Sequence, residues 1–329
     1  MSQAWGDIHA RIHTNLRQRL LLPSTARILI AVSGGQDSAC LLKLLVDLKP
    51  HWAWRLEVIH CNHRWRDDAN DNAEFVQALS HRFDLPCHVR VTEQPLTSEN
   101  QARAWRYTVF GKLARELGCT HVVTGHTATD QAETLLLHLF RGTGLGGLGG
   151  MAWSRSLGGA YPDIQLVRPL LDLTRPETAQ FCQEQGLDIW LDSTNANLNL
   201  RRNRLRLEIM PQLRDYFNPQ ADRVLAQTAT LCQAEQDYLD QETQKHYTTI
   251  VNEAIPGLAV NPLQTLHPAL QRRLIRAFLQ NIFQITPQFD HVEVISNLIF
   301  APKNSQSSPL PKGIVAWVDP PWIKFPDLG

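Results

Sequence analysis

Over the first two thirds of the chain, short runs of β-branched and aliphatic residues alternate with longer stretches in which apolar positions recur every three or four residues. That alternation is the pattern of βαβ units on a parallel sheet, with helices as the crossovers between strands. Arg27–Val32, Leu56–Cys61, Cys87–Val91 and His121–Thr124 read as strands. Ala39–Leu48, Asp68–Phe83 and Gln101–Leu117 have the periodicity and length of crossover helices, and residues 4–20 read as a leading helix. After about residue 215 the strand pattern stops. Ala221–Tyr247, Pro268–Phe283 and His291–Phe300 are helical in pattern, separated by Pro- and Asn-containing breaks. Lys303–Gly313 is a loop by composition, and Ile314–Phe325 reads as a short strand packed on those helices. The expectation is an α/β fold: a parallel-sheet domain over residues 1–215, then a smaller, mainly helical domain over residues 216–329.

The 329 residues are 43% hydrophobic and 19% charged, which suits two packed domains and excludes a disordered chain. Basic and acidic side chains number 32 each, so any basic surface for a nucleic acid must be local. Cysteines 40, 61, 87, 119, 182 and 232 form no Cys-x-x-Cys pair for zinc, a redox dithiol or an iron–sulfur cluster, and a reduced cytoplasm is the expected setting. The first 25 residues include Asp7, Arg11, Arg17 and Arg19, so no secretory signal is expected. No apolar stretch approaches the roughly 18 residues that a bilayer span requires, and no membrane partner is expected.

The clearest chemical signal is Ser33-Gly34-Gly35-Gln36-Asp37-Ser38, directly between the first strand and the helix that follows it. A helix start offers unpaired N–H groups and a positive dipole end, and paired glycines let a phosphate approach the backbone. The turn lacks the lysine of a Gly-x-x-x-x-Gly-Lys-[Ser/Thr] loop. An acid beside phosphates calls for a cation, so Asp37 is expected to share Mg²⁺ with ATP oxygens. The plainer reading is a tight turn with Asp37 as a helix cap. Gly142–Gly147 formally satisfies Gly-x-Gly-x-x-Gly, but it follows the helical run Gln131–Phe140 and not a strand, so it is not expected to bind a dinucleotide.

Ligands of open parallel sheets bind outside the carboxyl ends of the strands. The second strand runs into His60–Arg66 and the fourth into Gly125–Thr134, so three polar segments converge on one edge. His60 and His63 are individually as compatible with structural roles as with ligand contact. Asp130 and Glu133 lie three apart on one face of a helix start, where they suit Mg²⁺, a cationic amine, or simply a solvated N-terminus. Arg103, Arg106 and Tyr107 line one helical side suited to phosphate pairing and base stacking. Residues 200–216 hold five arginines, 201, 202, 204, 206 and 214, against Glu208 and Asp215. That is a local basic patch, or a helix laced with salt bridges.

Together these segments resemble the tRNA(Ile)-lysidine synthetase family, within the N-type ATP pyrophosphatases (PP-loop superfamily), from about residue 27 to about residue 215. Ser33–Ser38 resembles S-G-G-x-D-S; His60–Arg66 resembles H-x-N-H-x-L-R, with Trp65 in place of leucine; Glu99–Tyr107 resembles E-x-x-A-R-x-x-R-Y. Gly125–Met151, Arg168-Pro169-Leu170-Leu171 and Asp192–Asn195 through Arg202-Asn203-Arg204 follow in the family's order. Where the family usually has G-H-H-x-D-D-Q, this chain has Thr127 and Thr129 in place of the second histidine and the first aspartate.

The resemblance implies a cytoplasmic ATP-dependent carbon–nitrogen ligase. It would convert the wobble cytidine of a CAU-anticodon isoleucine tRNA to lysidine, through an adenylated cytidine attacked by free L-lysine, and so switch codon reading from AUG to AUA. It implies ATP contacts from Ser33, Gly34, Gly35, Gln36, Asp37, Ser38, His60, Gly125 and His126, and Mg²⁺ at Asp37. Catalytic roles fall to Asp37, Asp130, Glu133, Arg103 and Arg204, and tRNA contacts to Arg106, Tyr107, Arg202 and Arg206, with the helical domain gripping the tRNA body. It leaves room for a homodimer. Two alternatives remain at this stage: a tRNA thiolase of the same superfamily, which would need cysteine chemistry, and a nucleotide-binding sensor without turnover.

Overall fold

A computed structural model describes residues 5–65, 67–94, 96–191, 197–252 and 255–326. The chain divides into two compact units between Gln233 and Ala234, inside a long helix, Ala221–Ile250. The division thus lies later than the end of the strand pattern near residue 215.

In the first unit the chain order is α1 (Asp7–Gln18), β1 (Arg27–Ala31), α2 (Gln36–Trp52), β2 (Arg55–Asn62), α3 (Ala69–Arg82), β3 (Cys87–Val91), α4 (Glu99–Leu117), β4 (His121–Thr124) and α5 (Ala128–Phe140). A four-residue helix α6 (Leu145–Leu148), the hairpin β5 (Ser154–Gly158) and β6 (Tyr161–Val167), and α7 (Arg175–Glu184) follow. The sheet order is β3-β2-β1-β4-β6-β5, parallel except for β5 at the edge. All four strands and the three crossover helices expected from the sequence are present; β3 and β4 have the expected bounds, and the other ends are displaced by at most four residues.

Because side chains alternate across a strand, β1 feeds two cores. Ile28 and Ile30 pack with α1, α2, α3 and α7, while Leu29 packs on the other face with Phe110, Leu113 and Ala114 of α4. Ile28, Leu29 and Ile30 have no exposed surface, and burying each aliphatic side chain contributes about 1.5–3 kcal/mol. The crossover helices change faces between β3 and β4, which opens a crevice between the carboxyl ends of β1 and β4. That crevice receives both the Ser33–Ser38 turn and the start of α5.

The β5–β6 hairpin and α7 leave no clear pattern in the sequence. Arg155, Ser156, Asp163 and Gln165 interrupt any apolar run, and β6 becomes a strand by pairing with β4, a tertiary effect that period counting does not see. The glycine segment 142–147 leads out of α5 into α6 with no strand before it, unlike a dinucleotide fingerprint.

The second unit contains the helices Val260–Thr265, Pro268–Phe283 and Phe289–Ser296 beside a small antiparallel sheet of β7 (Val251–Asn252), β8 (Gly257–Ala259), β9 (Trp317–Asp319) and β10 (Trp322–Lys324). The sheet order is β7-β8-β10-β9, around a core that includes Phe278, Phe283, Ile323 and Phe325. Strands of two or three residues are too short to show alternation, and the segment read as one strand over Ile314–Phe325 holds two. Among the described residues no helix is long and apolar enough to cross a membrane.

Candidate active site

The Ser33–Ser38 turn is braced from within. Ser38 Oγ accepts from the Ser33 N–H at 3.2 Å and donates to the Gly35 carbonyl at 2.8 Å. Gly34 has φ +89°, and a Cβ there would stand 2.8 Å from Asn72 Nδ2, so both backbone and space demand glycine. Gly35 is the N-cap of α2 and has no side chain to cap it, which leaves the first-turn N–H groups of α2 available to an anion. His60 is buried on β2 beneath the turn, with Nδ1 2.9 Å from the Val32 carbonyl, and holds the end of β1 in place.

Gly125 joins this turn to the start of α5. A Cβ on residue 125 would stand 2.8 Å from the Asp37 carbonyl oxygen and 3.1 Å from the Ser38 nitrogen, so the two segments touch only because residue 125 is glycine. His126 is half-buried, with Nδ1 2.9 Å from Thr124 Oγ1. Burial pushes its pKa down to about 3, with Arg168, Arg202 and Arg103 adding to the shift against the pull of Asp130, so the ring is neutral at physiological pH.

The two departures from the family pattern have local structural duties. Thr127 is the N-cap of α5: its N–H and Oγ1 both donate to Asp130 Oδ2 at 2.9 Å. Thr129 Oγ1 accepts from the Arg175 N–H at 3.2 Å and ties the start of α7 to α5.

Three acids and three arginines then interlock. Arg175 has Nε 3.2 Å from Asp37 Oδ2 and Nη2 3.6 Å from Asp130 Oδ1. Arg202 reaches Asp130 Oδ1 at 2.9 Å and Glu133 Oε2 at 2.8 Å, and Arg206 reaches Glu133 Oε1 at 2.6 Å. Thr178 Oγ1 donates to Asp37 Oδ1 at 2.5 Å, and Gln36 Nε2 donates to Thr178 Oγ1 at 3.0 Å. Burial raises the pKa of Asp37 in spite of Arg175. Burial also opposes ionisation of Asp130, but Arg202 and Arg175 outweigh it and hold that carboxyl far below its usual range.

The expected acids and the expected arginines therefore meet each other. Asp130 and Glu133 are matched by guanidinium groups, and Arg202 and Arg206 point inward to those acids, whereas Arg204 is exposed beside Glu208 at 3.7 Å. Arg103, Arg106 and Tyr107 do share one side of α4. The Arg103 guanidinium lies 4.9 Å from the centre of the Tyr107 ring, and Arg106 is half-buried with no partner for Nε. Arg66 and the segment 192–196 lie outside the described residues. Arg175 and Thr178 escaped the sequence reading because α7 did; the sole local signal is the Thr174–Glu177 capping box that starts it.

Comparison with known proteins matches the order of these segments. Residues 8–213 match the PP-loop domain family, and residues 258–314 match the TilS substrate binding domain. The tRNA(Ile)-lysidine synthase of Thermosynechococcus vestitus is 48% identical over 98% of this chain and 92% of its own length. That of a Nostoc strain is 44% identical over 97% of this chain and 96% of its own. The chloroplastic enzyme of Pyropia yezoensis is 36% identical over 82% of each chain. Among solved structures, the U34-tRNA thiolase NcsA from Methanococcus maripaludis, with its [4Fe-4S] cluster, superposes with a TM-score of 0.57. It covers 69% of this chain and 78% of its own at 15% identity, a likeness of fold alone. The motifs, their places in the fold and the near full-length similarity agree: this chain belongs to the tRNA(Ile)-lysidine synthase family.

Proposed function

We propose that the protein ligates L-lysine to C2 of the wobble cytidine of a CAU-anticodon isoleucine tRNA, with ATP converted to AMP and pyrophosphate. The observation that carries this reading is the bridge of Arg175 between Asp37, on the phosphate-type turn, and Asp130, on α5. It brings a nucleotide cradle and an ionised acid cluster to one crevice.

The C2 carbonyl of cytidine is a poor electrophile. Its oxygen attacks the α-phosphorus of ATP, the bond to the β-phosphate oxygen breaks, and pyrophosphate leaves. The ε-amine of lysine, having lost its proton, then attacks C2, and the C2–O bond breaks to release AMP. The uncapped first turn of α2 and the Ser33–Ser38 backbone suit the phosphates. An anticodon loop presents the target base at low unstacking cost.

Mg²⁺ fits the residues present. Asp37 and Asp130 already flank one cation, the Arg175 guanidinium, and both are oxygen donors of the kind that Mg²⁺ takes. Asp37 would hold it, with Asp130 as the neighbouring acid. When bound it would offset the charge of the phosphates.

The same carboxylates suit the ammonium of the lysine substrate. Asp37, Asp130 and Glu133 are already paired with Arg175, Arg202 and Arg206, so a lysine ammonium binds there by taking a carboxylate over from one guanidinium. Cys61 weighs against sulfur transfer, since burial pushes its thiol up to about 12. The test is pyrophosphate release with ATP and Mg²⁺. Release that requires the CAU-anticodon isoleucine tRNA and fails with initiator methionine tRNA agrees with the reading; release without any tRNA contradicts it.

A further inference from the structure

Every arginine of the catalytic cluster faces a carboxylate, but four others do not. Arg103 and Arg106 of α4, Arg155 of β5 and Arg168 just after β6 gather on Tyr107, and none forms an ion pair among the described residues. The guanidinium carbons of Arg103 and Arg155 lie 4.9 and 5.3 Å from the centre of the same ring. Arg168 is 1% exposed; Nη1 donates to the Ala152 carbonyl at 2.7 Å, and Nε has no partner. Arg106 Nε is likewise buried without a hydrogen-bond partner.

A permanently charged guanidinium buried without a counter-charge is unfavourable by several kcal/mol. Attraction to one tyrosine ring offsets only part of that cost for each cation resting on it, and the arginines repel one another. An anion drawn to Arg103 and Arg155 relieves both deficits. Arg155 Nη1 donates to the Ser156 and Leu157 carbonyls at 2.7 and 3.3 Å, which fixes that guanidinium against the ring and leaves its other N–H groups, with those of Arg103, for pairing with phosphate oxygens. The cluster lies on the side of the sheet covered by α4, whereas the Ser33–Ser38 turn opens α2 on the opposite face.

We propose that Arg103, Arg155, Arg168 and Tyr107 form a second anion site, apart from the nucleotide turn, that takes a backbone phosphate of the RNA strand next to the target base. Arg103 and Arg155 touch the phosphate. Arg168 is a positioning residue that acts from beneath through Tyr107. The assignment rests on the reading of this protein as a tRNA-modifying enzyme; the other source of the same chemistry is free pyrophosphate, for which the turn already provides.

The experiment uses the full chain and the half-buried Arg155→Gln, with Arg168→Met as the buried counterpart. Binding of the CAU-anticodon isoleucine tRNA is measured against salt concentration without ATP, and inhibition of lysine transfer by inorganic pyrophosphate is measured separately. Arg155→Gln is expected to weaken tRNA binding roughly tenfold and to reduce the slope of log K against log salt by about one, with pyrophosphate inhibition as in the wild type. Arg168→Met is expected to reduce the same slope, which a purely structural role would not do. A wild-type slope in Arg155→Gln overturns the proposal. So does weakened pyrophosphate inhibition with tRNA binding intact. Should the wild type transfer no lysine at all, the functional reading fails, while the salt slopes still decide this one.

Discussion

Arg202 Nε donates to Glu133 Oε2 at 2.8 Å, while Arg206 donates to Oε1 at 2.6 Å, so one fully buried carboxylate is shared between two guanidinium groups one helical turn apart. The arginine-rich run is thus two-sided: positions 202 and 206 turn inward and positions 201 and 204 turn outward. Removing the charge of Glu133 leaves its two arginines dependent on Asp130. Glu133→Gln is expected to destabilise the protein by about 3 kcal/mol, the lower end for breaking a buried pair. Chemical denaturation checks this, and Arg202→Gln in the same chain should recover part of the loss. An unchanged denaturation midpoint in Glu133→Gln would show that the cluster does not hold the fold.

The exposed arginine predicts a different outcome. Arg204→Gln should leave thermal stability within about 0.5 kcal/mol of the wild type and lower the salt slope of tRNA binding by about one. Filter binding across a salt series measures it. A loss of stability with no change in slope would place Arg204 in the fold and not on the RNA.

Gly125 is the contact point between turn and helix. Gly125→Ala puts a methyl group 2.8 Å from the Asp37 carbonyl, against backbone that cannot rotate aside. The strain, about 1–3 kcal/mol, falls on the nucleotide turn. The expected result is a rise in the KM for ATP of at least fivefold, with tRNA binding retained. Wild-type ATP saturation would mean that the two segments separate freely.

Acid sensitivity follows from the buried histidines. Burial pushes His126 down to about 3 and His63 down to about 4, from an ordinary value of 6.5. Below pH 6.5 the unfolded chain takes up these protons and the folded chain does not, so their stabilisation is complete above that pH and is lost as the pH falls toward 4. His13 and His121 shift in the same direction. Glu177, held down to about 2, responds only below its ordinary 4.5. Between about pH 7.5 and pH 5 the melting temperature should fall, and His63→Gln with His126→Gln should flatten that fall. An equal fall in the double variant would assign the effect to other groups.

Much of this site is legible in the sequence because its parts are local. Strand, glycine turn and helix start follow one another within Arg27–Ser38, and the polar segments after β2 and β4 reach the same edge through the rule that parallel strands point the same way. Pairings across the fold are not legible. Nothing in the spacing of Asp130 and Glu133 shows that Arg202 and Arg206, about 70 positions later, neutralise them, and nothing near Asp37 shows that Thr178 and Arg175 hold it. The hairpin that carries Arg155 becomes a strand pair only on the edge of a sheet already built. Thr127 and Thr129 depart from the family pattern yet keep helix-capping and helix-bridging duties, which motif comparison alone does not reveal.

The central claim is that ATP held at the Ser33–Ser38 turn activates a tRNA base for attack by lysine. Its most direct measurement is incubation of the full chain with ATP, Mg²⁺, labelled L-lysine and a CAU-anticodon isoleucine transcript, followed by nucleoside analysis, in parallel with Asp37→Ala. The account predicts label in a lysidine nucleoside at the wobble position, one AMP for each lysine transferred, and neither product from the folded Asp37→Ala protein. Label absent from the transcript with the wild type, or full transfer by Asp37→Ala, would contradict it.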